Sequence, residues 1–534
     1  MSTTDHETLT SEERNAIAPY FTELDGPVFG LVRMPEVVKG ALFARYSRSP
    51  KGLRRLFADE FLSDAQGTQA TTEAGSQRAE ALYEKVFVEY GDDSVAQLGG
   101  VHLAVEGASN VLTKVLEWGR IMSYLEQSTR YIPYTDKPGG RWRYHTPREL
   151  DARPALKATF EQAMDNAFAT YTRLIEEMVK HYQVKHPREA GVSEGVWNRT
   201  LRAKALDTVR GLLPAATKSN VGLYGTGQAY EALLLRMRAS PNAEVRDCAD
   251  RMLVELRKMI PAFLARVDQP ERGVRWSRYL SEINDRTHQV AQAKVAKVSA
   301  ETREEVTLSD FDPEGEIKVV AAALYAHTQL PDDQLLRIAR AMSPVERAQV
   351  LSAAVGERSN RRHKPGRCFE RTSYRFDILS DYGAFRDLQR HRMLTIEWQP
   401  LSPAHGYTMP EAIAEAGHED AWHAVMRETA AAYEALMNAG LEHVAPYAVP
   451  MAYRLRYVMQ MNAREAMHTI ELRTAPQGHP SYRRVCQKMH TLIADVAGHT
   501  GIAAAMKYAD HSHVELERLG AEQALEKKRE TRAR

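Results

Sequence analysis

A helix-rich protein built as two tandem copies of one fold is what the sequence predicts, on two observations. First, the halves of the 534-residue chain echo each other. Gly107–Arg120, leading into Ser123–Tyr131, is matched by Leu379–Arg392, leading into Thr395–Pro403. Arg120 then stands opposite Arg392, and Ser123 opposite Thr395, at one offset of 272. Downstream, Gly225–Arg236 is matched by Asn462–Arg473 at an offset of 237, each block ending in an apolar helix and an arginine. Second, apolar residues recur at helical spacing along most of the chain. The clearest case is 150–183, where Phe160, Met164, Phe168, Tyr171 and Ile175 form one stripe. Two copies of roughly 200–250 residues suit the length.

Composition bounds the class. The chain is 43% hydrophobic and 26% charged, enough to bury full cores. Lys plus Arg number 71 against 70 Asp plus Glu, so no global charge draws it to nucleic acid. Cys248, Cys368 and Cys486 lie far apart without metal-ligand spacing, which predicts free thiols in a reducing compartment. Met1–Glu7 lacks the order of a signal peptide, and no apolar run approaches the eighteen or so residues of a membrane span. The expectation is a cytoplasmic protein with neither a membrane nor a nucleic-acid partner.

In chain order, residues 1–25 read as a polar loose arm and 28–57 as helical, with a helix ending before Pro50. Residues 63–76 read as a loop and 78–88 as helical again. Val111, Val115 and Leu116 mark a helix running into Trp118-Gly119-Arg120, and Pro133, Pro138, Gly139 and Gly140 break the chain after Tyr131. Helices follow at 150–183, 201–213 and 241–300. The acidic stretch 301–315 is read as a linker. Helices at 317–327 and 332–342 precede an arginine-rich loop, 358–367. Tyr374, Phe376 and Ile378 alternate with Arg375 and Asp377 as in a strand, and 381–394 has near-helical spacing. Helices run on to a charged tail. The domains expected are 26–300, the linker 301–315, 316–520, and the tail 521–534.

The chemistry centres on Arg390-His391-Arg392. Two guanidinium forks flanking an imidazole suit a phosphate or a ring that accumulates negative charge. The copies keep different polar residues: Trp118-Gly119-Arg120 stands opposite Arg390-His391-Arg392, while Glu126, Ser128, Arg130 and Tyr131 stand opposite Trp398, Pro400, Ser402 and Pro403. Complementary loss of this kind suits a site assembled from both copies. Among weaker signals, Gly222-x-x-Gly225-x-Gly227 reads as a turn, and His511-x-His513 with Glu515 as an exposed helix end. His468, His479 and His490 are candidates to line a cleft; no metal site is expected.

Arg390-His391-Arg392 in the second copy, together with Ser123-x-x-Glu126-x-Ser128-x-Arg130-Tyr131 in the first, resembles the signature of the flavin-dependent thymidylate synthases, here divided between the two copies. Arg210-Gly211-Leu212-Leu213-Pro214 and Asn462-Ala463-Arg464…Leu472-Arg473 resemble two further blocks of that family. The resemblance covers about 90–240 and 365–490. It implies an α+β fold with a central sheet and long helices, here in two tandem copies. It also implies FAD, a pyrimidine nucleotide substrate, and methylation of the dUMP-to-dTMP type. Methylenetetrahydrofolate and NADPH are the implied co-substrates. Because sites in that family are shared within a homotetramer, a tandem chain is expected to form a homodimer.

By the same resemblance, Arg390, His391, Arg392, Asn462, Arg464 and Ser94 would bind the flavin. Glu126, Ser128, Arg130, Arg210, Arg236 and Arg473 would bind the nucleotide, with Arg392 and Ser128 nearest the chemistry. Two departures stand out. Asp387 replaces the family's glutamine three residues before Arg-His-Arg. The family's His-x-Ser/Thr-x-x-Glu element is reduced to Asp92-Asp93-Ser94 and Gln97 in one copy, and to Glu370 with a displaced His363 in the other.

Overall fold

The computed structural model describes residues 9–47, 49–62, 97–516 and 518–533. The loop expected at 63–76, the helical pattern at 78–88 and Ser94 lie outside the described residues. Tertiary contacts divide the chain into two compact units. One comprises Met1–Glu106, Val115–Glu126 and Asn220–Val298; the other comprises Gly107–Lys114, Gln127–Ser219 and Ser299–Arg534.

The fold is α+β. Its first sheet holds β1 (Gly100–Ser109), β2 (Met122–Glu126) and β3 (Lys218–Thr226) in the order β1-β3-β2. Its second holds β4 (Val306–Phe311), β5 (Ser373–Asp381), β6 (Thr395–Trp398) and β7 (Arg454–Asn462) in the order β4-β5-β7-β6. Strands β5-β7-β6 thus repeat the order of β1-β3-β2, and a helix follows the first and the last strand in sequence of each set. These helices are α1 (Asn110–Leu116) and α4 (Gly227–Arg238) in one copy, and α5 (Tyr382–Leu388) and α7 (Ala463–Arg473) in the other.

Five expectations change. Gly222 and Gly225 lie in β3, not in a turn; β3 pairs antiparallel with β2 from Met122↔Gly225 to Glu126↔Val221. A Cβ on Gly225 would come within 2.9 Å of the Met122 side chain, so glycine here permits close packing of β2. Within the expected loose arm, Ser11–Ile17 is a helix, because Thr10 and Glu13 form a reciprocal capping box. The helix expected over 381–394 ends at Leu388, so Arg390-His391-Arg392 follows it as irregular chain. Residues 306–311 of the stretch read as a linker form β4, and 521–533 of the stretch read as a tail lie in α9 (Leu519–Ala533).

In the second unit, α2 (Pro154–Lys185) buries the predicted stripe, including Phe160, Met164, Phe168, Tyr171 and Ile175. It packs on α3 (Glu194–Val209) and α6 (Glu419–Asn438). Helix α8 (Pro480–Asp495) packs against β4, β5 and α7. Strand β7 alternates strictly: Leu455, Tyr457, Met459 and Met461 are buried, and the residues between them are half-buried.

Candidate functional site: an arginine cluster around two aspartates

Five guanidinium groups converge on two buried carboxylates in the second unit. Asp207, near the end of α3, receives Arg130 in a bidentate fork, from Nε at 2.8 Å and Nη2 at 2.7 Å. Arg518 Nη2 reaches the same carboxylate at 3.2 Å. Arg130 Nη1 also donates to the Tyr482 hydroxyl at 2.9 Å, and Nη2 to the Gln477 carbonyl at 3.2 Å. Burial pushes the Asp207 carboxyl up, but Arg130 more than offsets this and holds it at about 2.

Asp387 is held differently. It sits in the last turn of α5 and pairs with Arg390 one turn on. Its other neighbours stand off: Arg210 Nη1 is 3.5 Å from Oδ2, and Arg473 Nη1 is 3.7 Å from Oδ1. Burial disfavours its charge, yet Arg390, Arg210 and Arg473 together hold it well below the usual carboxylate range.

Like Arg518, whose Nε is buried without a partner among the described residues, Arg210 is incompletely satisfied. Its side chain is 4% exposed, and among the described residues the buried Nη2 atom has no hydrogen-bond partner. Burial lowers its pKa. A small cavity of about 30 Å³ lies beside it, lined by Asp207, Asp381, Gly383, Trp422 and His479 among others. Asp381 caps α5 by accepting from the Ala384 N–H at 2.8 Å through Oδ1, while Oδ2 has no partner among the described residues. A Cβ on Gly383 would come within 3.2 Å of Arg210 Nη2, so glycine lets the guanidinium approach the start of α5.

His391 is buried next to this cluster. Its Nε2 accepts from Arg473 Nε at 2.9 Å, and its Nδ1 lies 3.1 Å from the Thr469 hydroxyl and 3.3 Å from Glu465. Burial, then Arg473 and Arg390, keep it neutral by pushing its pKa well below the ordinary value. Burial raises Glu465 and lowers His468 to about 4. His391, Glu465 and His468 bring ligand-type atoms within 4.8 Å of one another. However, Lys364, Arg361, Arg390 and Arg473 all bear on these histidines, and that positive surrounding opposes a metal cation.

Of the residues singled out in the sequence, Arg130 and Arg210 of the first copy thus meet Arg390, His391 and Arg473 of the second. Arg392 is exposed. The Ser128 hydroxyl accepts from the Arg130 N–H at 3.2 Å. Asn462 caps α7 through its side chain, accepting from the Glu465 N–H at 2.9 Å. Arg464 Nε donates to the Pro365 carbonyl at 3.0 Å, which ties α7 to the arginine-rich loop. Glu126 and Arg236 belong to the first unit, where Arg236 lies 5.4 Å from the Trp118 ring. Glu126 is the last residue of β2. The helix caps Thr226 and Asn462 place Arg236 opposite Leu472, one position off the sequence register.

Sequence reading missed Asp207, Arg518, Tyr482, Asp381 and Trp422. One signal was present: Asp207-x-x-Arg210 and Asp387-x-x-Arg390 are the same short pattern in the two copies.

A duplicated α+β fold with an arginine cluster buried around two aspartates defines a class of proteins built by internal repetition. The family is explicit: the model described as "Thymidylate synthase complementing protein" matches residues 41–262 and 307–498, and the chain belongs to that family. A UPF0159 protein of Chlamydia muridarum is 36% identical over 522 residues, covering 96% of this chain and 98% of that one. A second UPF0159 protein, from Thermoplasma acidophilum, is 30% identical over 511 residues, covering 91% and 97%. A flavin-dependent thymidylate synthase of Clostridium tetani is 26% identical over 178 residues, covering 33% of this chain and 66% of that one.

Proposed function

We propose that the protein is a flavin-dependent enzyme that methylates a pyrimidine nucleotide, of the dUMP-to-dTMP type. FAD is its cofactor, and methylenetetrahydrofolate and NADPH are its co-substrates. One observation carries the nucleotide part: Arg210 is buried beside a carboxylate 3.5 Å away, with its Nη2 unsatisfied. Leaving a buried polar group unpaired costs roughly 1–3 kcal/mol, and more when it is charged. A phosphate oxygen restores that bond, and charge-assisted bonds are worth about 1.5–3 kcal/mol each.

In this reading Arg210 and Arg473 hold the nucleotide phosphate. Arg130, fixed by Asp207, shapes the pocket wall together with Ser128. The flavin side rests on Arg390, Arg392, Arg464 and Asn462, with neutral His391 behind them. Arg464, tied to the basic loop through the Pro365 carbonyl, offers a guanidinium fork of the kind that pairs with the phosphates of a dinucleotide. When bound, FAD supplies the hydride, and a cation near its pyrimidine ring favours the reduced anion. Family membership and the distant thymidylate synthase relatives support the choice of flavin.

A second reading keeps flavin and nucleotide binding without dTMP synthesis. It covers a flavoenzyme acting on another nucleotide or carbon donor, and a non-catalytic scaffold. Asp387 favours it, since a carboxylate stands among the same guanidinium groups.

The deciding experiment is the absorbance spectrum of the purified protein, with identification of the released cofactor and a calorimetric dUMP titration. FAD should co-purify or bind tightly, and Arg210→Gln should weaken dUMP binding about ten- to a hundred-fold while leaving FAD bound. A colourless protein with no thermal shift on adding FAD rules out the flavin assignment. Tight FAD and dUMP binding without methyl transfer favours the second reading.

A further inference from the structure

Asp207 and Asp387 are both buried among arginines, but their coordination differs. Asp207 is closed by the Arg130 fork at 2.7 and 2.8 Å, with Arg518 at 3.2 Å. Among the described residues Asp387 makes close contact only with Arg390; Arg210 and Arg473 stand at 3.5 and 3.7 Å, beyond good hydrogen-bond length. Its carboxylate therefore retains acceptor capacity and faces the same two guanidinium groups that an incoming oxyanion would use.

We propose that Asp387 makes this cluster select an oxyanion that carries a proton, such as hydrogen phosphate or a monoanionic phosphomonoester, over one that carries none, such as sulfate. The inference rests on the nucleotide reading above and names the form of phosphoryl group admitted.

The physics is that of two like charges sharing one site. An oxyanion held by Arg210 and Arg473 stands beside the Asp387 carboxylate, whose side chain is 11% exposed, so little water intervenes to screen the repulsion. A proton between them turns the repulsion into a charge-assisted hydrogen bond, with the ligand O–H donating to Asp387. The proton must arrive on the ligand, because Arg390, Arg210, Arg473 and Arg130 all face Asp387 and keep it ionised. Sulfate has the same shape and no proton at neutral pH. A site that needs a donor rejects an analogue lacking one far more strongly than a difference in size would.

The test uses the full-length protein at fixed ionic strength and pH 7, with inorganic phosphate, arsenate and sulfate titrated by calorimetry. Phosphate and arsenate, which both keep a proton, should bind at least about tenfold more tightly than sulfate. Asp387→Asn supplies an amide donor in place of the carboxylate and should bring sulfate to within about threefold of phosphate. A phosphomonoester, with a second pKa of about 6, should bind more weakly as pH rises from 5.5 to 8. Sulfate binding as tightly as phosphate to the wild-type protein overturns the proposal, and so does unaltered preference in a folded Asp387→Asn variant. If that variant does not fold, the wild-type comparison of the three anions decides alone. Failure of every oxyanion and of dUMP to bind overturns the nucleotide reading instead.

Discussion

Asp207 shows how a single residue can matter to stability first and to ligand binding second. Its carboxylate joins Arg130 and Arg518, both buried, so Asp207→Asn leaves two guanidinium groups without their counter-charge. The expected cost is about 3–5 kcal/mol, read by chemical denaturation at pH 7. The pH dependence has a definite sign. The folded carboxyl sits at about 2, below its ordinary value of 3.8, so its stabilisation is complete above about pH 4. It is lost as pH falls through about 2, and Asp207→Asn should lack that acid-side loss. Arg130→Ala should likewise destabilise the fold before it alters affinity, because its guanidinium is already engaged by Asp207, Tyr482 and Gln477.

At the scale of elements, the strand-to-helix corner recurs where the copies keep their chemistry. Thr226 caps α4 and Asn462 caps α7, each accepting from a backbone N–H three residues on. The Asn462 side-chain oxygen is therefore a structural acceptor as well as a candidate flavin contact. Asn462→Ala should cost about 1 kcal/mol in denaturation, and Asn462→Ser should recover most of it. If flavin affinity falls in both variants while stability recovers in the serine variant, the amide contacts the flavin as well. The corner was only partly legible in the sequence. Strand β7 carries a clean alternation, with Leu455, Tyr457, Met459 and Met461 inward, yet it stood in a stretch read as helices. The helix expected over 381–394 stops at Leu388: Met393, which fits its spacing, is exposed, and Leu394 is buried just before β6.

For the molecule as a whole, the expected assembly is a dimer of full-length chains, each with two family-like copies. Light scattering should return twice the mass of one chain, and an obligate contact should bury about 2,000 Å² or more. A strict monomer would mean that one chain suffices for its sites. The described residues contain no helix long and apolar enough to cross a membrane.

The internal echo, the long stripe of α2 and the Arg-His-Arg signature were determined by the sequence, because each is a local pattern with its own period or spacing. The pairing of charges was not. Asp207 meets Arg130 across 77 positions, and Arg518 across 311. Nothing in composition or periodicity specifies which arginine reaches which carboxylate. The register of the strand-to-helix corners was decided by caps, whose hydrogen bonds depend on backbone geometry. The looseness of Asp387 against the tight fork on Asp207 is likewise a tertiary result: burial raises the cost of each charge, and side-chain reach determines which charges are satisfied.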